Sequence, residues 1–136
     1  MSIRPKWATA ILSGAKTVEL RRRRIAADTA YVLVYATAPV SQIVGWFSVG
    51  DVIVESPSTV WRRWGRRTGL DRSAYNDYFR DASEAVAILI DEAVAYPQPL
   101  ALTTCAGVVR APQSYQYLSQ NVVPMYGSVT ERPSVG

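Results

Sequence analysis

The sequence predicts a small α+β fold in which a sheet curves into a β-barrel, with short helices inserted between its strands. Three observations carry this expectation. Several short runs rich in Val, Ile, Tyr and Trp are nearly continuous or alternate apolar with polar residues, as strands do. Between them lie segments that open on the helix N-cap residues Ser56 and Asp71. These strands and helices do not follow the regular βα alternation of a doubly wound sheet. The length, 136 residues, is that of one ordinary domain.

Taken in order, Ser2 to Arg4 opens a short strand that Pro5 ends. Trp7, Ile11 and Leu12 follow at helical spacing, and Gly14 suits a C-cap. From Lys16 to Arg22 the alternation turns Val18 and Leu20 toward a core and places Thr17, Glu19, Arg21 and Arg23 on the other side. Tyr31 to Ala36 is almost wholly apolar, as expected of a central strand covered on both faces. Ile43 to Glu55 is a longer strand in which Gly45 and Gly50 mark bends or bulges, the devices that curve sheets. Ser56 and Pro57 start a helix that carries Trp61 and Trp64. Asp71 caps a second helix with Ala74, Tyr75, Tyr78 and Phe79 as its apolar stripe. Ala85 to Ala95 returns to strand character, and Tyr96-Pro-Gln-Pro forces an extended turn. Leu100 to Val109 fits either a helix or a buried strand; Gln113 to Leu118 fits a short helix or strand. The domain is expected over residues 1–125, with a flexible tail over 126–136.

Composition narrows the chemistry. With 49% hydrophobic and 19% charged residues, the chain can bury a core and is too apolar for disorder. No apolar run approaches the roughly 18 residues that span a bilayer. The first residues lack the apolar stretch of a signal peptide, so a cytoplasmic protein with no membrane partner is expected. One cysteine, Cys105, excludes an intrachain disulfide and a thiolate zinc cluster; it is expected as a small buried hydrophobe. Histidine is absent, which removes Ser-His-Asp and Cys-His catalysis and His-ligated zinc. Any catalysis falls to Lys, Tyr, Ser, Thr, Asp or Glu. No cofactor is demanded, although a divalent metal would enter if the chain were a nuclease.

Charge is concentrated in two places. Residues 1–24 carry seven Lys and Arg against Glu19, and residues 61–72 carry five Arg against Asp71, while the remainder is net acidic. Two dense basic segments on a small domain point to a polyanionic partner, or else to a solvated face that aids solubility. In the second segment, Trp61-Arg-Arg-Trp64-Gly-Arg-Arg interleaves indoles with guanidiniums. The simpler reading packs both Trp side chains on the body and solvates the arginines; the other makes a stacking and phosphate-binding flank.

The first segment holds Gly14-Ala-Lys16-Thr-Val-Glu19-Leu-Arg21. A helix that ends at Gly14 turns the chain sharply, so Lys16 at the strand start aims its ammonium into a cleft. There it would meet phosphate as a point charge or, desolvated, act as a base. Glu19 and Arg21 share a strand face, where they pair with each other or divide the reading of a base edge from the holding of a phosphate. Gln113-Ser114-Tyr115 offers an amide, a hydroxyl and a ring, suited to hydrogen-bonding and stacking on a base or simply to closing the barrel.

These motifs resemble the ASCH domain family (activating signal cointegrator homology) of the PUA-like superfamily. Ser2-Ile-Arg-Pro-Lys-Trp-Ala, Ile11 to Arg23, Val34-Tyr-Ala-Thr-Ala-Pro-Val, Ile43-Val-Gly-Trp-Phe, Ser56-Pro-Ser-Thr-Val-Trp and Ala111-Pro-Gln-Ser-Tyr-Gln-Tyr-Leu occur in the family's order. The Gly-x-Lys-Thr-x-Glu-x-Arg core is the most specific part; residues 66–110 match by pattern more than by identity. The resemblance implies a curved PUA-like β-barrel with a basic cleft that recognises RNA or a modified nucleotide. Some relatives are regulators of transcription or translation, others an amidohydrolase on acetylated cytidine or a ribonuclease. The amidohydrolase pattern requires a Thr three residues after the Lys and a distal Glu. Here Lys16 is followed by Glu19, and no distal Glu fits, which argues against deacylation. A ribonuclease would need Lys, Tyr and Ser to converge, and Lys16, Tyr35 and Ser114 are the candidates by type. The expected function is therefore an RNA- or nucleotide-binding module. Lys16, Glu19 and Arg21 stand at its centre, with Arg23, Tyr35, Gln113, Ser114 and Tyr115 contributing. An RNA-directed hydrolase using the same cleft is the alternative.

Overall fold

The structure, a computed structural model, describes residues 1–101. Its elements in chain order are β1 (Ser2–Ile3), α1 (Pro5–Ser13), β2 (Val18–Arg21), β3 (Tyr31–Ala36), β4 (Gln42–Glu55), α2 (Pro57–Trp64), α3 (Arg72–Tyr78) and β5 (Ala85–Leu100). A single 3-10 turn, Gly65–Arg67, follows α2. The strands form one mixed sheet of order β1-β3-β4-β5-β2, in which β1 runs parallel to β3 and the other pairs are antiparallel. This is the expected α+β class, but the sheet is open: no backbone ladder joins β1 to β2 among the described residues.

The sheet is nonetheless strongly curled. Arg21, at the end of one edge strand, reaches the carbonyl of Ser2 on the other, 2.9 Å away. Its curvature comes from slips in the ladders. β4 shifts register against β5 between Ile43 and Gly45 and again across Ser48–Asp51, which brackets Gly50. The two glycines thus lie where the bends were expected, since a residue without a side chain eases a bulge.

Alternation on each strand sorts the core. Val32, Val34, Phe47, Val86 and Ile88 lie on one face with Ile3 and with Ala8 and Ile11 of α1. On the opposite face, Val18, Leu20, Ala85 and Ala87 pack under Val60 and Trp64 of α2 and Tyr75 of α3, with Phe79. Full burial of side chains such as Val18 and Leu20 contributes about 1.5–3 kcal/mol each. Helix ends follow their signals. Gly14 closes α1 in the left-handed conformation. Ser56 Oγ accepts from the Thr59 amide, and Asp71 Oδ1 from the Ala74 amide.

Two expectations are corrected. Tyr96-Pro-Gln-Pro does not end the strand; it bulges out of the ladder, since Ala95 to Leu100 lies opposite only Gly45 to Ile43, and β5 rejoins β4 at the Ile43–Leu100 pair. The prolines fall where the ladder is interrupted, between Ala95 and Leu100, so their missing N–H groups remove no ladder bond. In α3 only Tyr75 enters the core, joined by Phe79 just beyond the helix, whereas Ala74 and Tyr78 form the neighbouring row and remain exposed. The ambiguous stretch after Leu100, Cys105 and the expected tail lie outside the described residues, apart from Leu100 and Ala101 themselves.

Candidate functional site

The site begins with the turn after α1. Gly14 reverses the chain, and the Lys16 amide returns to the Ala10 carbonyl at 3.0 Å. The next residue is clamped: the Thr17 amide donates to the Arg67 carbonyl at 3.0 Å, and Arg67 Nε donates to Thr17 Oγ1 at 2.9 Å. This joins the 3-10 turn to the start of β2. It also aims the next carbonyl, that of Thr68, at Lys16, whose Nζ donates to it. Thr68 is itself wholly buried, its hydroxyl bound to the Gly65 carbonyl.

Lys16 is only 2% exposed. A buried ammonium requires a counter-charge, and strand geometry supplies one. Glu19 and Arg21 pair across the ladder with Ile88 and Val86, so they project on the face of the first core cluster, at its rim. Glu19 Oε1 lies 3.7 Å from Lys16 Nζ, and Oε2 lies 3.5 Å from Arg21 Nη2. The three make a buried cation–carboxylate–cation row. Burial pulls the Lys16 pKa below its ordinary range; the Glu19 charge and hydrogen bond oppose this, while Arg21 adds to it. Arg21 also donates from Nε to the Met1 sulfur at 3.2 Å. Its Nη1 has no bond among the described residues.

The row opens on a cavity of about 570 Å³, within the range of small-molecule sites. Ile3, Arg4 and Trp7 line one side; Leu70, Ala74, Asp77 and Tyr78 line the other. The Tyr78 hydroxyl donates to the Leu20 carbonyl at 3.2 Å, and burial pushes its pKa up, so it remains a neutral phenol. Trp7 carries Lys6 Nζ 4.7 Å and Lys16 Nζ 5.3 Å from its ring centroid, which makes it a partner for cations rather than a bare stacking surface. Such a cavity offers cationic donors for an anion, a carboxylate acceptor for amino groups, and apolar wall for a flat ring.

The sequence profile of the ASCH domain matches residues 1–93. The chain belongs to the ASCH domain family. A protein of Zymomonas mobilis named ASCH domain-containing ribonuclease is 38% identical over 91 residues, 66% of this chain and 62% of that protein. The large ribosomal subunit protein uL22 of Ureaplasma parvum is 29% identical over 87 residues, 64% of this chain but 28% of that protein. The chain thus spans less than two thirds of either curated relative. Crystal structures of ASCH from Zymomonas mobilis superpose with TM-scores of 0.82, for a tyrosine-to-phenylalanine variant (31% identity, 92% of each chain), and 0.81 (33% identity, 89% of this chain and 87% of that one).

Within this ASCH domain, the structure brings Lys16, Glu19 and Arg21 together and leaves two other candidates apart. Tyr35 follows Val34 on β3; because Val34 faces the first core cluster, Tyr35 faces the opposite side. There it packs with Leu33, Ile43, Trp46 and Tyr96, away from the cavity. Arg23 is exposed in the bend after β2 and does not line it. Its neighbours are structural: Arg22 Nη1 donates to the Tyr78 and Arg80 carbonyls at 2.7 and 3.0 Å, and Arg24 pairs with Glu84 at 2.6 Å. Gln113, Ser114 and Tyr115 lie outside the described residues. Trp7, Thr68, Asp77 and Tyr78 were missed by sequence reasoning. Only for Tyr78 was there a signal, since an amphipathic Tyr on the margin of a stripe often turns its hydroxyl outward. Among the described residues, no three carboxylates or thiols gather as they would around a metal ion.

Proposed function

We propose that this ASCH domain is an RNA-binding module, regulatory in transcription or translation, that seats one nucleotide in the cavity at Lys16, Glu19 and Arg21. The buried cation–carboxylate–cation row that opens on that cavity carries the reading. Arg21 Nη1 is oriented for a phosphate oxygen by the bonds its other nitrogens make, and charge-assisted contacts of this kind are the strong ones. Glu19, held between two cations, accepts from the amino or imino groups of a base. Leu70 and Ala74 supply wall for the ring. Gln113, Ser114 and Tyr115 belong to the proposal as further base contacts; Tyr35 and Arg23 do not. The test is calorimetric titration with nucleoside monophosphates and short single-stranded RNA. The Lys16→Met/Glu19→Leu double variant removes both charges together, so no Lys16 ammonium is left buried without a counter-charge, and its fold is checked by circular dichroism before titration. Its affinity is expected to fall at least about tenfold, which is 1.4 kcal/mol. Unchanged affinity would overturn the assignment.

A second reading, an RNA-directed hydrolase in the same cleft, is favoured by the 38% identical relative named a ribonuclease. In it Lys16, held below its ordinary pKa by burial, takes the proton of a ribose 2′-hydroxyl as a general base. Incubation of labelled RNA with and without a divalent metal and a chelator separates the two. Cleavage that disappears in Lys16→Met would displace the pure binding module; intact RNA under all conditions would remove the hydrolase.

A further inference from the structure

The second basic segment does not touch the cavity, and the structure gives it a different task. We propose that the arginine face formed by α2, the 3-10 turn and the start of α3 binds the phosphate backbone of a single RNA strand that continues out of the cavity. Arg62, Arg63, Arg66, Arg67 and Arg72 are all exposed, and none forms an ion pair among the described residues. Elsewhere three exposed arginines are satisfied, Arg24 by Glu84, Arg80 by Asp77 and Arg22 by two carbonyls, while Arg4 and Arg23 are exposed singly and not in a cluster of five.

Helix stabilisation explains only part of this set. Arg62 and Arg63 fall in the last turn of α2, where cations favour the helix dipole. Arg72 is the first residue of α3, where the dipole disfavours a cation, so its charge works against the helix that carries it. Three of the five are also held in place. Arg63 sits 4.5 Å from the Trp64 ring centroid, Arg72 lies 5.2 Å from that of Trp61, and Arg67 donates to Thr17. Pinning a guanidinium lowers the entropy lost when it meets a phosphate. Both indoles pack against the body of the domain, so their role here is to position arginines rather than to stack on bases. Arg67 bonds to Thr17, the chain neighbour of the cavity-lining Lys16, so the arginine face begins close to the cavity without lining it.

The inference rests on the nucleotide reading of the cavity and adds a second contact with a different signature. Phosphate contacts to a single strand release counterions, and log K falls with log salt by about 0.7 per contact. The experiment compares a mononucleotide with a single-stranded RNA 12-mer across a salt series, using the wild type, the Arg62→Gln/Arg66→Gln/Arg72→Gln triple variant and the Lys16→Met/Glu19→Leu variant. The triple variant is expected to bind the mononucleotide as before and the 12-mer on the order of tenfold more weakly, with a salt slope shallower by about 2. Its melting temperature should hold or rise, a combination that a purely structural role for these arginines does not produce. A 12-mer that binds no better than the mononucleotide, or that is indifferent to the triple substitution, overturns the inference and leaves the cavity reading intact. Loss with the triple variant but not with Lys16→Met/Glu19→Leu sustains the arginine face and removes the cavity. No binding of either ligand overturns both.

Discussion

Replacing Glu19 by Gln isolates the row on which the site depends. Its carboxylate lies 3.7 Å from Lys16 Nζ and 3.5 Å from Arg21 Nη2. At an effective dielectric of about 20, each contact is worth about 4–5 kcal/mol of gross attraction. Desolvation of the three groups offsets most of that, so the measured loss comes from what remains: a Lys16 ammonium, 2% exposed, without its counter-charge. Removing one partner of a buried pair typically destabilises by about 3–5 kcal/mol. The lower end applies here, about 3 kcal/mol, because the Thr68 carbonyl still accepts from Lys16. In a domain stable by about 5–15 kcal/mol the variant stays folded, with its urea midpoint lowered by about 1–3 M.

The pH dependence makes the prediction specific. The folded-state pKa of Lys16 is depressed, first by burial, from an unfolded value of about 10.4. Between those two values the unfolded chain binds more protons, so stability rises with pH through that window and levels off above it. Glu19 supplies the charge and hydrogen bond that oppose the depression. Without them the window widens downward, and the deficit of Glu19→Gln shrinks as pH rises toward the unfolded value. Urea unfolding followed by tryptophan fluorescence at several pH values measures this directly. A loss below about 1 kcal/mol, or a deficit constant with pH, would refute the account. Lys16→Met/Glu19→Leu should lose about 1–3 kcal/mol, because replacing the pair itself is close to neutral but the Thr68 carbonyl loses its donor and Arg21 its carboxylate.

Three further outcomes are expected. Gly45→Ala places a Cβ 2.3 Å from the Val94 carbonyl oxygen and 2.9 Å from Leu12 Cδ2. Strand β4 must then move away from β5 and α1, which lowers stability by about 3 kcal/mol and Tm by about 10 °C in calorimetry. Asp71→Ala removes the oxygen that accepts the Ala74 amide at 2.8 Å and destabilises by about 1 kcal/mol in chemical denaturation. Arg22→Met frees two carbonyls at the end of α3 and loses about 1–2 kcal/mol. Arg23→Met, one residue on, stays within about 0.5 kcal/mol in the same assay.

What the sequence revealed was whatever depends on local pattern. The period of two on Val18–Arg21 and the caps at Gly14, Ser56 and Asp71 are properties of neighbouring residues, and each appears where expected. Sheet closure depends on how far ladder slips accumulate, which no local pattern encodes; among the described residues the sheet is open, so the expected barrel is not confirmed. Tyr35 shows the same limit. Its type fitted a catalytic role, but only the pairing of β3 between β1 and β4 decides which face it takes. Arg21, Arg22, Arg23 and Arg24 are indistinguishable as a run of four. Arg21, Arg22 and Arg24 are told apart by Ser2, by Tyr78 and Arg80, and by Glu84, all far from the run, while Arg23 is left exposed. Thr68 could not be foreseen at all, because it enters the site through its main-chain carbonyl, and any residue type presents one.

The site and the management of the sheet edges are one arrangement. Edge strands expose backbone groups that invite pairing with another chain, and natural sheets blunt them with charges and covering elements. Among the described residues β1 and β2 are the edges. Arg21 satisfies the Ser2 carbonyl of one, and the Tyr78 hydroxyl satisfies the Leu20 carbonyl of the other. Both side chains also line the cavity. The groups that would contact a ligand are therefore held rigid by a duty they already perform, which keeps the entropy lost on binding small. The same coupling sets a limit on the ligand. A phosphate that drew Arg21 away would break its 2.9 Å bond to the Ser2 carbonyl, whereas one that met Nη1 alone would leave that bond in place. In the proposed function an anion would therefore approach the Nη1 side of the guanidinium, while Glu19 holds Nη2.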